Sequence, residues 1–370
     1  APTEGTTYAT GTAVNATTTV ACSVLYPGTS CTDTGLTGGT AYHYKVFNRD
    51  NYVNYATGVV PTGSPFTPTG PAVINISGTC KQWDGTTNCA NGTDVRVAVG
   101  GSLRSNTTTT ASGVWTLGDM TPLSANSVIT VFASGTAASA RAAAVTKYDG
   151  SGNITGLDLF ERHLTLGSTG DNPTISNSDL TSYDNSSSTN ADVFFDVDAN
   201  NNLIVDVNNA FTDERLIIKS GNNTYRPDST GAGKRIYTHH FKNNGTTTAD
   251  GVIWKVGGDW HNIGTYTSGT STVEMASSSA FIDHNGGTFN NFTASSSASL
   301  TASSSFTVAG TLLADGTLSI NSGKTVTAPW TITLNGAISG AGTLTITGES
   351  SGPGTGGTLS SIVRYDASSA

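Results

Sequence analysis

The sequence has few charged residues and no long apolar run. Only 12% of its 370 residues are charged, and the formal net charge is −9, so it lacks the basic surface that neutralises nucleic-acid phosphates. The average field of the chain also repels an acidic glycan. No run of about 20 apolar residues is present, so we expect no membrane-spanning helix. Nothing in the composition indicates a cofactor, and we expect none.

Cysteine is scarce, and the four cysteines form two equally spaced pairs. Cys22 and Cys31 are nine positions apart, as are Cys80 and Cys89, and each pair flanks a turn-like stretch. Metal sites favour closer cysteine spacing together with histidine partners, which are missing here. The spacing therefore predicts two hairpin disulfides, Cys22–Cys31 and Cys80–Cys89, which place the protein outside the cytoplasm.

Helical periodicity is nearly absent, whereas turn and strand signals recur along the chain. From Gly257 to Gly348, short β-branched runs such as Thr331 to Leu334 echo one another between Thr, Ser and Gly turns. Each run can bury only one narrow stripe, so it needs a neighbouring rung on either side. The sequence predicts an all-β protein: two small β-sandwiches followed by a β-solenoid, similar to a parallel β-helix.

The run TDTGLTGGTAYHYKVFNRDNYVNYATG resembles the later strands of a fibronectin type III domain. Leu36, the turn at 37–40 and the alternating Tyr42, Tyr44 and Val46 carry the resemblance, because alternating large residues are what one buried strand face requires. The resemblance implies a sandwich over residues 1–66. The earlier strands of such a domain are missing, so we expect this sandwich to be incomplete at its N-terminal side.

Two further segments resemble parts of bacterial surface proteins. After a proline-rich linker, residues 67–167 resemble the carboxypeptidase-regulatory or transthyretin-like sandwiches, through the alternating Val95, Val97 and Val99 and a core Trp115. Residues 168–370 contain a GDW rung and an FNN rung that resemble the β-helix segments of adhesin- or hemagglutinin-type surface proteins. The combination implies adhesion, surface coating or filament building outside the cell.

Alternating acidic and amide residues could form part of a calcium site. Asp196, Asp198 and Asn200 occupy alternate positions, as in the first half of a calcium loop. The sixth position is Asn201 rather than Gly and the twelfth is Val207 rather than Glu, so the EF-hand signature fails. The pattern favours a β-hairpin with an Asn-rich turn, and calcium is the alternative.

Parallel β-helices include polysaccharide lyases and hydrolases that act through clustered carboxylates. Neighbouring side chains on a strand point to opposite faces, so we predict that His239 and His240 do not line one cleft. Capping and surface roles are the simpler interpretation, and we expect no enzyme. The catalytic candidates are Asp259, His261, Asp283, His284, His239, His240 and Lys242.

Four tryptophans could stack on sugar faces if they point outward: Trp83, Trp254, Trp260 and Trp330. Tryptophan is more often buried than exposed, so burial among the rungs is the competing interpretation. We assign the candidate glycan contacts to Trp260 and Trp330.

The C-terminal residues form a short amphipathic strand that includes Ile362, Val363, Arg364 and Tyr365. Donated to the next subunit, this strand would complete the open N-terminal sandwich by β-augmentation. A head-to-tail contact of this kind does not close, so it builds a filament. The alternative is that the segment forms one more rung of the solenoid.

These inferences predict a structural subunit of an extracellular bacterial filament or surface fibre, whose partner is another copy of itself. A monomeric glycan-binding surface adhesin is the alternative, and a polysaccharide-degrading β-helix enzyme is the third possibility.

Overall fold

The fold is all-β, as predicted. The computed structural model describes residues 1–25, 28, 30, 32–33, 36, 40–67, 74–120, 123–134, 140–171, 173–185, 193–205, 213–228, 233–347, 358–359 and 362–366. The chain divides into two compact units, Ala1–Val73 and Ile74–Ala370. In the described ranges, no helix has the length and apolar character needed to cross a bilayer.

The first unit contains paired strands but no buried residue in its described part. Strands β1 (Ala13–Asn15) and β2 (Thr18–Thr19) pair antiparallel. Isolated antiparallel bridges join Tyr42 to Phe66 and Val46 to Val59. Val46 is 55% exposed and Val59 67% exposed. The described residues of this unit therefore have strand pairing without a hydrophobic core.

The second unit begins with a small sandwich. One layer has the strand order β6-β3-β9, and the other contains β5, β4, β7 and β8. Their inner faces share a core around Ile76, Val97, Trp115 and Val131. The strands are β3 (Ile74–Lys81), β4 (Asp94–Val99), β5 (Ser102–Thr108), β6 (Val114–Met120), β7 (Val128–Ser134), β8 (Ala142–Lys147) and β9 (Leu159–Phe160).

The sandwich and the solenoid share one sheet. β8 pairs antiparallel with β7 and parallel with the first solenoid strand. In β7, Val131 faces the sandwich core while Phe132 joins the solenoid core. Both faces of these strands are covered, which explains the uninterrupted burial from Ala142 to Val145, since a strand covered on both sides is apolar throughout.

The solenoid makes about nine turns across residues 143–364. Its elements are β10 (His163–Leu166), β11 (Thr174–Ile175), α1 (Asn177–Leu180), β12 (Phe195–Val197), β13 (Leu203–Val205), β14 (Arg215–Ile218), β15 (Thr224–Tyr225), β16 (Arg235–Thr238), β17 (His240–Asn243), β18 (Thr246–Thr248), β19 (Ile253–Val256), β20 (Trp260–Asn262), β21 (Thr265–Thr267), β22 (Thr272–Met275), β23 (Ala280–Asp283), β24 (Thr288–Phe289), β25 (Asn291–Ala294), β26 (Ser299–Ala302), β27 (Phe306–Val308), β28 (Leu312–Ala314), β29 (Thr317–Ile320), β30 (Thr325–Pro329), β31 (Ile332–Leu334), β32 (Ala337–Ser339), β33 (Thr343–Thr347), β34 (Thr358–Leu359) and β35 (Ile362–Asp366).

Successive turns stack in parallel register on three faces. The first face belongs to a 13-stranded sheet, called the long sheet below, which includes β10, β14, β17, β20 and β23. The second face is an eight-stranded sheet, and the third passes from a four-stranded to a five-stranded sheet. On the second face, Trp254 lies beside Ile236, 18 residues earlier. Further along, Ile332 lies beside Leu312, 20 residues earlier, so turn length varies slightly.

The interior of the solenoid is filled by large side chains at alternate strand positions. β17, β19 and β22 each show the in-out pattern expected of a strand covered on one face. The rings of Phe241 and Trp260 lie 4.5 Å apart, those of Trp260 and Phe289 5.2 Å, and those of Phe289 and Phe306 5.4 Å. This aromatic column links successive turns, so each turn is stabilised mainly by its neighbours.

Glycines occupy corners where one turn lies directly on the next. A Cβ atom at Gly264 would lie 2.1 Å from the carbonyl oxygen of Gly245, and one at Gly336 would lie 2.1 Å from that of Gly316. Only a residue without Cβ permits this approach.

Candidate functional site

The outer face of the long sheet contains an open groove. Two adjoining depressions, with volumes of about 410 Å³ and about 340 Å³, share Arg215 and Lys242 in their linings. The first depression extends towards Trp83 and Phe160, and the second towards Phe281. We call this combined surface the outer groove.

Parallel register places the polar side chains of the outer groove in two columns. Arg215 lies beside His240, and the Asp259 N–H donates to His240 Nδ1 at 2.8 Å from the next turn. The second column begins with Lys242, which lies beside His261.

The second column continues to Asp283, which lies beside His261. The His261 Nδ1 and Asp283 Oδ2 atoms are 3.2 Å apart. In the first column, the corresponding separation between His240 Nδ1 and Asp259 Oδ2 is 3.4 Å. Two similar His–Asp pairs therefore lie side by side.

The carboxylates of the outer groove are engaged by protein partners. Asp158 Oδ2 pairs with the Lys219 ammonium group, and its Oδ1 accepts from Thr79 Oγ1 at 2.8 Å. Asp259 Oδ1 accepts the Phe281 N–H at 2.9 Å. Asp84, at the end of the groove, accepts bonds within its own turn. Asp158, Asp259 and Asp84 therefore already have hydrogen-bond or ion-pair partners within the protein.

Two cations in the outer groove have no such partner. Within the described part of the chain, the side chains of Arg215 and Lys242 make neither a hydrogen bond nor an ion pair. Both point outward from β14 and β17 and are half-buried. Arg215 and Lys242 are therefore available to a ligand, and Asp283, which contacts His261 through Oδ2, adds a partly exposed carboxylate to the same surface.

Exposed aromatic rings stand at the two ends of the groove. Trp83 is 52% exposed and Phe281 is 56% exposed. Trp83 lies in the hairpin loop closed by the disulfide between Cys80 and Cys89, whose Cα atoms are 5.4 Å apart. The Arg162 guanidinium is 6.0 Å from the centre of the Trp83 ring. The predicted disulfide is thus present, and its loop places an aromatic side chain at the groove.

Local contacts lower the pKa values of three carboxyl groups in the outer groove. Hydrogen bonds from Thr87, then from the Thr86 and Thr87 backbone, lower the pKa of Asp84 to about 2. Hydrogen bonding with His240 and with the Phe281 N–H lowers the pKa of Asp259. Burial raises the pKa of Asp158, but Lys219 and Thr79 outweigh it, and the net shift is downward. A general acid needs the opposite shift.

The structure brings several predicted catalytic candidates together. Asp259, His261, Asp283, His240 and Lys242 all line the outer groove.

Of the remaining candidates, His284 points into the solenoid interior, where its ring stacks on Phe289 at 4.0 Å. His239 and His240, which were predicted not to line one cleft, have rings 4.6 Å apart, and His240 but not His239 lies in the lining of the outer groove. His239 is the corner residue between β16 and β17, so the alternation rule of a regular strand does not apply to it.

The tryptophans chosen as glycan contacts are not the exposed ones. Trp260 is completely buried, so the assignment of a surface glycan contact to it was wrong; it is on the inner face of β20 within the aromatic column. Trp330 is partly buried and packs against the same core. Trp83, which has a polar and charged setting, is the tryptophan that faces solvent at the groove.

The predicted Asn-rich hairpin is present between β12 and β13, which pair antiparallel. Asp198 Oδ1 accepts the N–H groups of Asn200 and Asn202 at 2.8 and 2.9 Å, and its Oδ2 accepts from Asn202 Nδ2. Both oxygens of Asp198 are therefore engaged by the turn. Burial, and then the nearby acids, raise the pKa of Asp196. Calcium binding by Asp196, Asp198 and Asn200 stays a prediction.

The predicted subunit-contact strand is a rung of its own chain. In β35, Ile362 lies beside Thr343 and Val363 beside Leu344, in parallel register. Val363 packs against the solenoid core and Arg364 is exposed; Tyr365 lies in the same strand. This placement matches the alternative interpretation, while a contact with another subunit stays a prediction. The other predicted disulfide, Cys22–Cys31, includes Cys31, which lies outside the described residues.

The sequence interpretation missed the role of Arg215 and Phe281 in this surface. Arg215, His240, Asp259 and Phe281 are separated by 25, 19 and 22 positions, close to the turn length. A search for outward-facing residues that recur once per turn would have grouped them.

Comparisons with known proteins assign no function to the outer groove. In the described ranges, no group of three or more His, Cys, Asp or Glu residues is placed to hold a metal ion. No protein-family model, curated protein or solved structure matches the chain.

Proposed function

We propose that this protein is a structural subunit of an extracellular bacterial filament or surface fibre that assembles head to tail. The observation that carries the proposal is the contrast between the two units. The first exposes strands and large apolar side chains, with no buried residue in its described part, whereas the second has extensive hydrophobic cores of its own.

The solenoid is suited to supply length and stiffness. About nine turns, each adding about 4.8 Å between strands, give a rod roughly 43 Å long. Its ladders are parallel and in register. The buried disulfide between Cys80 and Cys89 supports an extracellular location, because such bonds persist in oxidising surroundings.

The first unit is suited to receive a partner. Val46 and Val59 pair directly across an antiparallel bridge, so their side chains lie on the same face, and both are exposed. A contiguous patch of exposed apolar groups marks an interaction surface, and we propose that this valine pair forms part of one. A strand from a second copy would cover them and satisfy the adjoining backbone groups.

Strand β35 is the proposed source of that contact. β35 pairs with β33, and no other described strand pairs with it. Its second edge can pair with a strand of the next subunit, or β35 can leave β33 and be donated whole. Either contact is heterologous and leads to open polymers.

Electron microscopy of native material tests the proposal. We expect regular fibres whose axial repeat corresponds to one subunit. Deleting residues 359–370 should abolish polymers, and Val46→Ser with Val59→Ser should do the same by making the receiving surface polar.

Arg364→Gln and Tyr52→Ser are the controls, since Arg364 is an exposed residue of β35 and Tyr52 is 85% exposed. Both should leave polymers intact. Dispersed rods in the native material, or unchanged polymers after the deletion, would contradict head-to-tail assembly.

A further inference from the structure

The outer groove combines nearly balanced charges with two exposed aromatic rings. We propose that it binds an uncharged, extended polysaccharide of β-linked hexoses, with polar side chains bonding to sugar hydroxyl groups and with Trp83 and Phe281 packing against sugar rings. This binding activity is independent of the proposed fibre assembly. Among the described residues, the lining carries four carboxylates and three cations besides its histidines: Asp84, Asp158, Asp259, Asp283, Arg215, Lys219 and Lys242.

The charges of the groove favour neither an anionic nor a cationic ligand. Lys219 pairs with Asp158, and Arg215 interacts electrostatically with Asp259, so opposite charges compensate each other within the lining. The net charge of −9 does not oppose a neutral ligand. Hydroxyl groups both donate and accept hydrogen bonds, so a surface that offers donors and acceptors side by side suits a sugar.

The second column presents such donors and acceptors one turn after another. Lys242 lies beside His261, and His261 lies beside Asp283, in parallel register. The His261 and Asp283 side chains are 40% and 36% exposed, and among the described residues Asp283 bonds only to His261. Successive members of the column are about 4.8 Å apart along the solenoid axis. This spacing is close to the length of one hexose in an extended β-linked chain.

The aromatic rings supply apolar surfaces at the two ends of the groove. The Arg162 guanidinium lies on one side of the Trp83 ring, yet Trp83 is still 52% exposed, and Phe281 is 56% exposed. The rings of β-linked hexoses have flat faces of C–H groups, which can cover such aromatic surfaces. Between its ends the groove crosses β10, β14, β17, β20 and β23, a length of about 19 Å, which accommodates several sugar units.

Calorimetric titration of the full-length protein tests this proposal. The probes are cellohexaose and β-linked mannohexaose, which are neutral and extended, and polygalacturonate, which is acidic. We expect at least one neutral probe to bind, with an affinity that added salt leaves unchanged because no ion pair forms. Trp83→Ala and Phe281→Ala should each weaken that binding about tenfold, since each removes an aromatic anchor.

Two variants that remove opposite charges distinguish a neutral ligand from a charged one. Lys242→Gln and Asp283→Asn should both weaken binding of the neutral probe, because each replaces a charge-assisted hydrogen bond to a hydroxyl group with a weaker neutral one. A ligand held by its negative charge would instead bind less tightly to Lys242→Gln and more tightly to Asp283→Asn, which would contradict the proposal.

Matched controls remove exposed apolar side chains from elsewhere on the chain. Leu103 is 49% exposed and Tyr52 is 85% exposed, and neither lines the outer groove. Leu103→Ala and Tyr52→Ala should bind like the unmodified protein, and melting temperatures verify the folding of every variant. Absence of binding by both neutral probes, binding of polygalacturonate alone, or equal losses in the controls and the groove variants would overturn the proposal.

Discussion

Two buried histidines, His163 and His284, couple the folding stability of the second unit to pH. The His284 ring stacks on Phe289, and its Nδ1 accepts the Trp260 indole N–H at 3.1 Å. Burial lowers the pKa of His284 to about 4, and the same cause lowers the pKa of His163 to about 4. Both rings are therefore neutral in the folded protein at pH 7.

Acidification should destabilise the second unit through these two histidines. The unfolded chain binds protons near pH 6.5, whereas the folded chain does so only near pH 4, so stability is present above pH 6.5 and is lost as the pH falls towards 4. Between pH 7 and pH 5, each histidine should cost about 2 kcal/mol of unfolding free energy. Urea unfolding at the two pH values measures this loss.

His284→Phe separates this effect from general acid sensitivity. It should lower stability at pH 7 by about 1–3 kcal/mol, because the Trp260 N–H loses its acceptor. Its pH dependence should shrink by the share of one histidine; an undiminished dependence would contradict the assignment.

A stacked corner glycine should tolerate no side chain. Gly264→Ala forces a Cβ atom against the Gly245 carbonyl oxygen, so we expect a loss of about 1–3 kcal/mol or more from displaced backbone. Gly118→Ala is the control, since its nearest neighbour would be Asn75 Oδ1 at 3.4 Å. Equal melting temperatures for the two variants would refute the close approach.

At the scale of elements, the hairpin that follows β3 combines a structural and a functional feature. Cys80 and Cys89 are buried in the sandwich core, and between them Asp84 caps a turn that carries Trp83 outward. The disulfide therefore closes the loop that places Trp83 at the outer groove.

Removing the disulfide should lower the free energy of unfolding and change the solvent accessibility of Trp83 at the outer groove. Cys80→Ala with Cys89→Ala opens a short loop and should cost about 2–3 kcal/mol by the chain-entropy estimate. Acrylamide quenching should show Trp83 becoming more accessible, while circular dichroism shows the solenoid intact. Unchanged quenching would mean that the turn alone positions the ring.

At the scale of the whole molecule, the two units differ in their internal hydrophobic packing. The hydrophobic clusters lie within Ile74–Ala370, while the described part of the first unit contributes no buried residue.

A chain lacking residues 1–73 should consequently melt at the same temperature as the full-length protein but form no fibres. Calorimetry and electron microscopy measure these outcomes. A large drop in melting temperature would show that the first unit stabilises the rod, and persistent fibres would place the joint elsewhere.

The sequence by itself determined the features that depend on neighbours along the chain. Alternating apolar residues and closely spaced turn residues predict the all-β class and the solenoid, the Asn-rich hairpin follows from residues 196–202, and the spacing of Cys80 and Cys89 predicts their bond. Each of these properties is set within a few residues, so local patterns are sufficient.

Only the tertiary structure decided which residues meet across turns and which strand face points inward. Alternation around Trp260 defines two faces but does not say which is buried, and the structure places this ring in the core. Turn lengths vary because the corners vary, so the column of Arg215, His240, Asp259 and Phe281 follows from strand register. The outer groove arises from that register, since its side chains are distant in sequence and adjacent only after the turns have stacked.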